Sequence, residues 1–331
     1  MNRRKFIWAS LGLGALAAAG GLRAGWPRKL ERHALEGRAF GATVSLVALD
    51  ADPARANAAL AEALAEVMAV DALMSLYRDD SQLTILNRSG RLAKPDPRVL
   101  EVLRQAQKTS IATGGAFDVT VQPLWTLFSD AKDRGALPTD EAREQARALV
   151  DWRDLEVADD EVRLRRPGMG VTLNGIAQGY AADRALMALR RHGVEHALLL
   201  AGAYVSLGRN ERGESWTLGV QHPRNPEAIA AKLALDGRAL STSGDYETFF
   251  TPDFLHHHIF DPATGDSPTE LASASVLTPT GMMADSLSTS FMVLGAERAL
   301  KLAATLPGVD ALLIGKDGRR WRTPGLPALD T

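Results

Sequence analysis

No cysteine occurs among the 331 residues, which excludes disulfides, thiolate nucleophiles, sulfur-ligated metals and lipid-modified cysteines. Neither sign of charge is in excess: 38 Lys and Arg face 40 Asp and Glu, a formal net charge of -2. There is accordingly no electrostatic case for a nucleic-acid partner or for an anionic membrane surface. The interior has no Pro/Ser-rich linker and no break in composition, so nothing marks a boundary, although the length would allow two domains. A membrane-length apolar run is missing too, since Trp8–Ala19 is short for a span. What is present is an ordinary globular composition, 46% hydrophobic and 24% charged, long enough for a large core.

The short apolar run follows Asn2-Arg3-Arg4-Lys5-Phe6-Ile7, a twin-arginine pattern. It is succeeded by small residues at Ala17-Ala18-Ala19 and Ala24 that offer cleavage sites. Residues 1–24 are therefore expected to be a signal read by the twin-arginine export machinery, with residues 25–331 as a folded part facing the periplasm. An uncleaved N-terminal anchor is the alternative, and it leaves the folded part on the same side.

Beyond it, Ala42–Leu49 alternates as a strand, and Pro53 opens a helix of good helix formers through about Ala72. A second helix spans Pro97–Thr113 and stops at Gly114-Gly115; a third spans Asp140–Val150. Val171–Tyr180 reads as a strand running through a glycine turn into a helix over Ala181–His192. Further strands are expected at Ala197–Leu200, Trp216–Val220, Arg238–Thr242, Ala274–Leu277 and Ala311–Ile314, and a helix at Thr280–Leu294 closed by Gly295. Strands and helices alternate without a strict βαβ rhythm, which predicts a single mixed α/β domain of the α+β class rather than a doubly wound sheet.

The chemistry concentrates in Ser241–Gly265, STSGDYETFFTPDFLHHHIFDPATG, where three of the seven histidines are adjacent. Histidine is the side chain most easily poised for proton transfer near neutral pH. Asp261-Pro262 and Thr264-Gly265 are turn signals, so a short strand His258-Ile259-Phe260 is expected to deliver a base and a carboxylate to a turn. Taken singly, each histidine is as readily a solvated loop residue. The three cannot share one transition-metal ion, because neighbours in a strand alternate faces. Downstream, Asp285 and Thr289 stand at i and i+4 on one helix face. A carboxylate and a hydroxyl so placed suit a hard cation completed by substrate phosphate; a dipole-stabilised Asp and an exposed Thr are the plainer alternative.

STSGDYETFF, HHHIFDPATG and MMADSLSTSFMVLG, in that order, resemble the C-terminal motifs of the ApbE family of FAD:protein FMN transferases. Upstream, Met74-Ser75-Leu76-Tyr77 through Ser81 to Asn87 and Gly114-Gly115-Ala116-Phe117-Asp118 to Leu124 are similar to two further family motifs. The resemblance covers roughly Phe40 to Gly315 and implies an ApbE-like, T-fold-like architecture. It implies FAD as substrate, with Tyr77 against the flavin and Phe40, Ala116, Phe117, Asp118, Phe260 and Ser288 at FAD-facing positions. It implies Mg2+ held by the Gly175 carbonyl, Asp285 and Thr289. The turn at Thr172–Tyr180 departs from the family: Thr172 stands for an Asp, Asn174 for a Gly and Gln178 for a Lys, and Ala203 replaces an Asn or Asp. Thr172 and Gln178 remain the ligand-contacting positions. With His258 as base, oriented by Asp261, the implied reaction is transfer of FMN to a Thr or Ser hydroxyl of a partner protein with release of AMP. The Asn-Gly-Ile-Ala-Gln-Gly turn behind a twin-arginine signal resembles the NosX-like members associated with nitrous oxide respiration. The acceptor implied is a membrane-bound flavoprotein of the NosR, Rnf or Nqr type. An FAD pyrophosphatase and a non-catalytic flavin carrier are the other functions compatible with these residues.

Overall fold

The computed structural model describes residues 30–329; residues 1–24, expected to be a twin-arginine signal, lie outside the described residues. Its first hairpin, β1 (Glu31–Ala39) and β2 (Ala42–Asp50), turns on Phe40 and Gly41 alone, both with positive φ, 51° and 74°. Two left-handed residues match the twist of the flanking strands, but a phenylalanine there is uncommon and strained. Asp52 then caps α1 (Pro53–Met74) by accepting from the Ala54 and Arg55 amides. α2 (Gln82–Ser89), β3 (Arg91–Ala93) and α3 (Pro97–Ala112) follow, the last opened by the same Asp-Pro pair at Asp96.

Next come α4 (Gln122–Asp133), α5 (Asp140–Arg147), β4 (Leu155–Val157) and β5 (Glu161–Leu164). The strand expected at Val171 is irregular backbone, and the helix after it, α6 (Ala177–Arg191), begins four residues earlier than its pattern indicated. The remainder is β6 (His196–Leu200), β7 (Tyr204–Leu207), β8 (Thr217–His222), β9 (Asn225–Ala234), β10 (Ala239–Gly244), β11 (Leu271–Thr278), α7 (Gly281–Ala303), β12 (Asp310–Gly315), β13 (Arg320–Arg322) and β14 (Ala328–Leu329). Gly295, at φ 74°, breaks α7 where its helix was expected to close, and a second helical stretch continues beyond it.

Eight strands form one antiparallel sheet in the order β1-β2-β6-β7-β10-β11-β12-β13. The α+β class is thus observed. β11, in the middle, is buried along its whole length, because both faces of the sheet are covered. Val276 packs with Phe291 and Leu287 of α7, while its neighbour Leu277 packs with Trp216, Leu218 and Leu233 of the small β14-β9-β8 sheet. α6 lies between α1 and α7 and contributes Ala181, Ala182, Ala185 and Ala188 to the largest core cluster. Small side chains let the backbones approach, which brings the start of α6 against the start of α7.

Candidate active site

Gly175 and Gly179 sit where α6 begins, and neither position admits a side chain. A Cβ on Gly175 would lie 2.9 Å from Thr289 Oγ1, and one on Gly179 would collide with the Gly281 carbonyl. The turn expected to offer the Gly175 carbonyl is therefore packed directly on the helix face that carries Asp285 and Thr289. Asp285 is buried, and its Oδ2 accepts from the Gly179 amide at 3.0 Å. Burial pushes its carboxyl up to about 7, the like charge of Asp183 adds to this, and the Gly179 amide and Ser241 hydroxyl oppose it. No cation is among the groups that act on it. A buried carboxylate without a counter-charge is costly, and a hard cation is the chemistry that would supply the missing charge. The donor set of carboxylate, hydroxyl and backbone carbonyl fits magnesium.

From β10, Ser243 Oγ lies 2.8 Å from Ser288 Oγ and 3.3 Å from Thr289 Oγ1. Ser288 also donates to the Asp285 carbonyl at 3.0 Å and is fully buried. Ser288, a position expected to face FAD, joins α7 to β10, and the hydroxyls of Ser241 and Ser243 are the strand's own contribution.

His258 is half-buried. Its Nδ1 lies 3.1 Å from the Thr248 carbonyl oxygen, and its backbone amide donates to that same carbonyl at 2.9 Å. A carbonyl can only accept, so Nδ1 carries the ring proton and Nε2 keeps its lone pair. Desolvation lowers the ring's pKa, with the Thr248 bond and the Asp245 charge opposing. The neutral, base-competent tautomer is therefore favoured. Asp261 does not orient this ring. Its Oδ1 accepts from the Ala263 amide at 2.9 Å and its carbonyl accepts from Gly265, closing the 261–265 turn. The expected strand over His258–Phe260 is also absent: isolated Phe249–His257 and Asp261–Asp266 bridges flank it instead.

The other two histidines serve the fold. His256 Nδ1 pairs with Asp266 at 2.8 Å, so it is not simply solvated. His257 is fully buried, with Nε2 3.0 Å from the Pro268 carbonyl, and desolvation drives its pKa down to about 3. Only the neutral ring is tolerated in the folded protein, whereas the unfolded chain takes up a proton near pH 6.5. The stability this ring contributes is thus complete above pH 6.5 and lost as the pH falls toward 3. Between pH 6.5 and 5 the parent should lose about 2 kcal/mol relative to His257→Gln. Urea melts of both proteins across that window measure it, and parallel curves would contradict it.

Among the expected flavin contacts, Tyr77 is the open one. It is 75% exposed just past the end of α1, a large aromatic face left free for stacking. Phe40 is half-buried against the main core at the strained hairpin tip, and Ala116 is half-buried. Three others are turned inward. Phe117 is buried, and Phe260 packs in an aromatic cluster with its ring 5.0 Å from Phe128. Asp118 engages both oxygens within the protein, accepting from Thr120 N at 2.7 Å and Oγ1 at 2.6 Å and from the Trp152 amide at 2.9 Å. These bonds tie Asp118 to the loop at Thr120 and to Trp152. Thr172 Oγ1 accepts from the Asn174 amide, and Gln178 lies across Gly202, where a Cβ would strike its amide. Gln178 is therefore packed on the Ala201–Ala203 turn. Asp245, fully buried and paired with Arg224 at 2.7 Å through both oxygens, was missed as an electrostatic neighbour of His258. Its partner is distant in sequence and no local pattern marks it.

Among the described residues no group of three or more His, Asp and Glu converges as a metal site.

Residues 40–313 match the model of the ApbE family. The chain is 32% identical over 313 residues to the FAD:protein FMN transferase of Salmonella typhimurium, covering 90% of this chain and 88% of that one. It is 31% identical over 294 residues to the corresponding protein of Treponema pallidum, covering 82% and 81%. The fold superposes on the crystal structure of the ApbE protein of Thermotoga maritima with a TM-score of 0.80 at 26% identity, over 89% of this chain and 97% of that one. On the flavin transferase ApbE of Vibrio cholerae the TM-score is 0.76 at 27% identity, over 89% and 98%.

Proposed function

The chain belongs to the ApbE family and is a flavin transferase acting on FAD; from the site's residues we propose the finer chemistry. FMN is moved from FAD to a Thr or Ser hydroxyl of a partner protein in a magnesium-dependent step. The hydroxyl oxygen forms a phosphoester bond to the FMN-side phosphorus, the bridging P–O bond breaks, and AMP leaves with the bridging oxygen. His258 Nε2 accepts the hydroxyl proton, since an alcohol is a poor nucleophile until a base takes it. Asp285, Thr289 and the Gly175 carbonyl would hold the cation. When bound, magnesium supplies positive charge at the non-bridging oxygens of the pyrophosphate. Tyr77 stacks on the flavin ring.

The observation that carries this reading is Asp285: a buried carboxylate that forms no ion pair among the described residues, beside a hydroxyl and a side-chain-free turn. The test is anaerobic mixing with FAD, magnesium and candidate acceptors of the NosR, Rnf and Nqr type, followed by in-gel flavin fluorescence. A fluorescent acceptor supports transfer. AMP release with the acceptor left dark would identify a pyrophosphatase, and FAD bound without turnover a carrier.

The same reading makes the protein periplasmic, exported by the twin-arginine route, on the strength of Arg3-Arg4 before a weak apolar run. Replacing both arginines with lysine should leave the precursor in the cytoplasm. Undisturbed appearance in the periplasmic fraction would remove that assignment.

A further inference from the structure

α6 and α7 cap each other. Asp285 of α7 accepts from the Gly179 amide of α6, while Asp183 of α6 accepts from the first two amides of α7, Gly281 at 2.6 Å and Met282 at 2.9 Å. Neither helix is well served locally. Ile176 makes no side-chain cap for α6, and Thr280 reaches only the Met283 amide of α7. The exchange is possible because Gly179 and Gly281 meet backbone to backbone, with no room for a Cβ on either. Asp183 is half-buried, and among the described residues no side chain of opposite charge bonds to it; each of its oxygens accepts from an α7 amide.

We infer that Asp183 is a positioning residue for the cation site: by fixing the first turn of α7 it sets Asp285 and Thr289 against the Gly175 turn at the head of α6. The inference rests on the reading of Asp285 and Thr289 as cation ligands. Its physical content is a matter of register. Asp285 lies one turn beyond the Gly281 amide and Thr289 two turns beyond, so rotation or sliding of that first turn displaces both relative to the Gly175 carbonyl. Outer-shell groups that orient ligands are typically worth about 10–100-fold in metal affinity. A residue that only held the fold together would lower the melting temperature without touching that affinity selectively.

The test uses the full chain and Mn2+ alone as the probe, with free Mn2+ read by its electron paramagnetic resonance signal. FAD titration without metal and thermal melts run alongside. Asp183→Asn keeps the size but offers the second α7 amide an N–H instead of an acceptor. It should weaken Mn2+ binding by about tenfold or more, leave metal-free FAD affinity within about twofold, and recover turnover at high magnesium. Gly281→Ala, which forces the two helix starts apart without altering any carboxylate, should weaken Mn2+ binding in the same way and decides the matter if Asp183→Asn does not fold. Parent-like Mn2+ affinity in these variants, while Asp285→Asn loses it, would overturn the positioning role and leave the cation site standing. Parent-like affinity in Asp285→Asn, or no Mn2+ bound by the parent either alone or with FAD present, would overturn the cation reading and this inference with it.

Discussion

Replacing His258 with alanine is expected to slow FMN transfer by about 10²–10⁴, the usual worth of a positioned general base. FAD affinity should change far less. The reason lies in the ring's partners: Nδ1 is held by the Thr248 carbonyl, so Nε2 is the nitrogen left to accept the acceptor's proton. Because desolvation lowers the ring's pKa, the neutral base persists below the ordinary histidine range, and the acid limb of the transfer rate should lie below pH 6.5. Single-turnover transfer measured beside FAD titration separates the two effects. Loss of FAD binding in proportion to the rate would make His258 a binding residue, and an unchanged rate would move the base elsewhere. Asp261→Ala should leave the acid limb in place, since that carboxylate closes its own turn and does not touch the ring.

The second large effect belongs to Asp285. Asp285→Ala removes the single carboxylate in the proposed cation set, and since outer-shell losses alone cost about 10–100-fold, magnesium-supported transfer should fall by at least about 100-fold. FAD should still bind through Tyr77 and the neighbouring loops. A different substitution at the same residue carries an opposite effect on stability. Asp285 is buried without a counter-charge in the metal-free protein, so Asp285→Asn, which keeps an acceptor for the Gly179 amide, should melt higher than the parent when no divalent cation is present. Transfer by Asp285→Ala equal to the parent at limiting magnesium would end the metal assignment. A lower metal-free melting temperature for Asp285→Asn would show that its capping bond outweighs the buried charge.

Legibility in the sequence followed how local the determining interactions are. α1 and α3 announce themselves through Asp-Pro starts, and their caps are formed by residues adjacent in the chain. β11 and β12 are apolar runs buried on both faces, so composition alone reveals them. β1 was not anticipated, because in Glu31–Ala39 exposed charges interrupt any apolar alternation and its pairing with β2 decides it. α4 was missed for a related reason: its start at Val121 has no side-chain cap. Within the site, the glycine turn and the Asp285/Thr289 spacing were readable, since a helix repeat fixes which residues share a face. The tertiary partners were not. Thr248 meets His258, Arg224 meets Asp245, and Asp183 meets α7 only after the chain has folded. Phe260 and Ser288 show the reverse limit, because family position alone pointed them toward FAD, while their partners Phe128 and Ser243 come only with the fold.

The most direct measurement of the central claim is the stoichiometry of a single turnover with a competent acceptor. FAD and magnesium are supplied in slight excess over acceptor, and AMP is quantified against flavin bound covalently to the protein. The account predicts one AMP per acceptor-bound FMN, with the flavin mapped to a Thr or Ser side chain through its phosphate. AMP accumulating beyond bound flavin, with free FMN in solution, would contradict it.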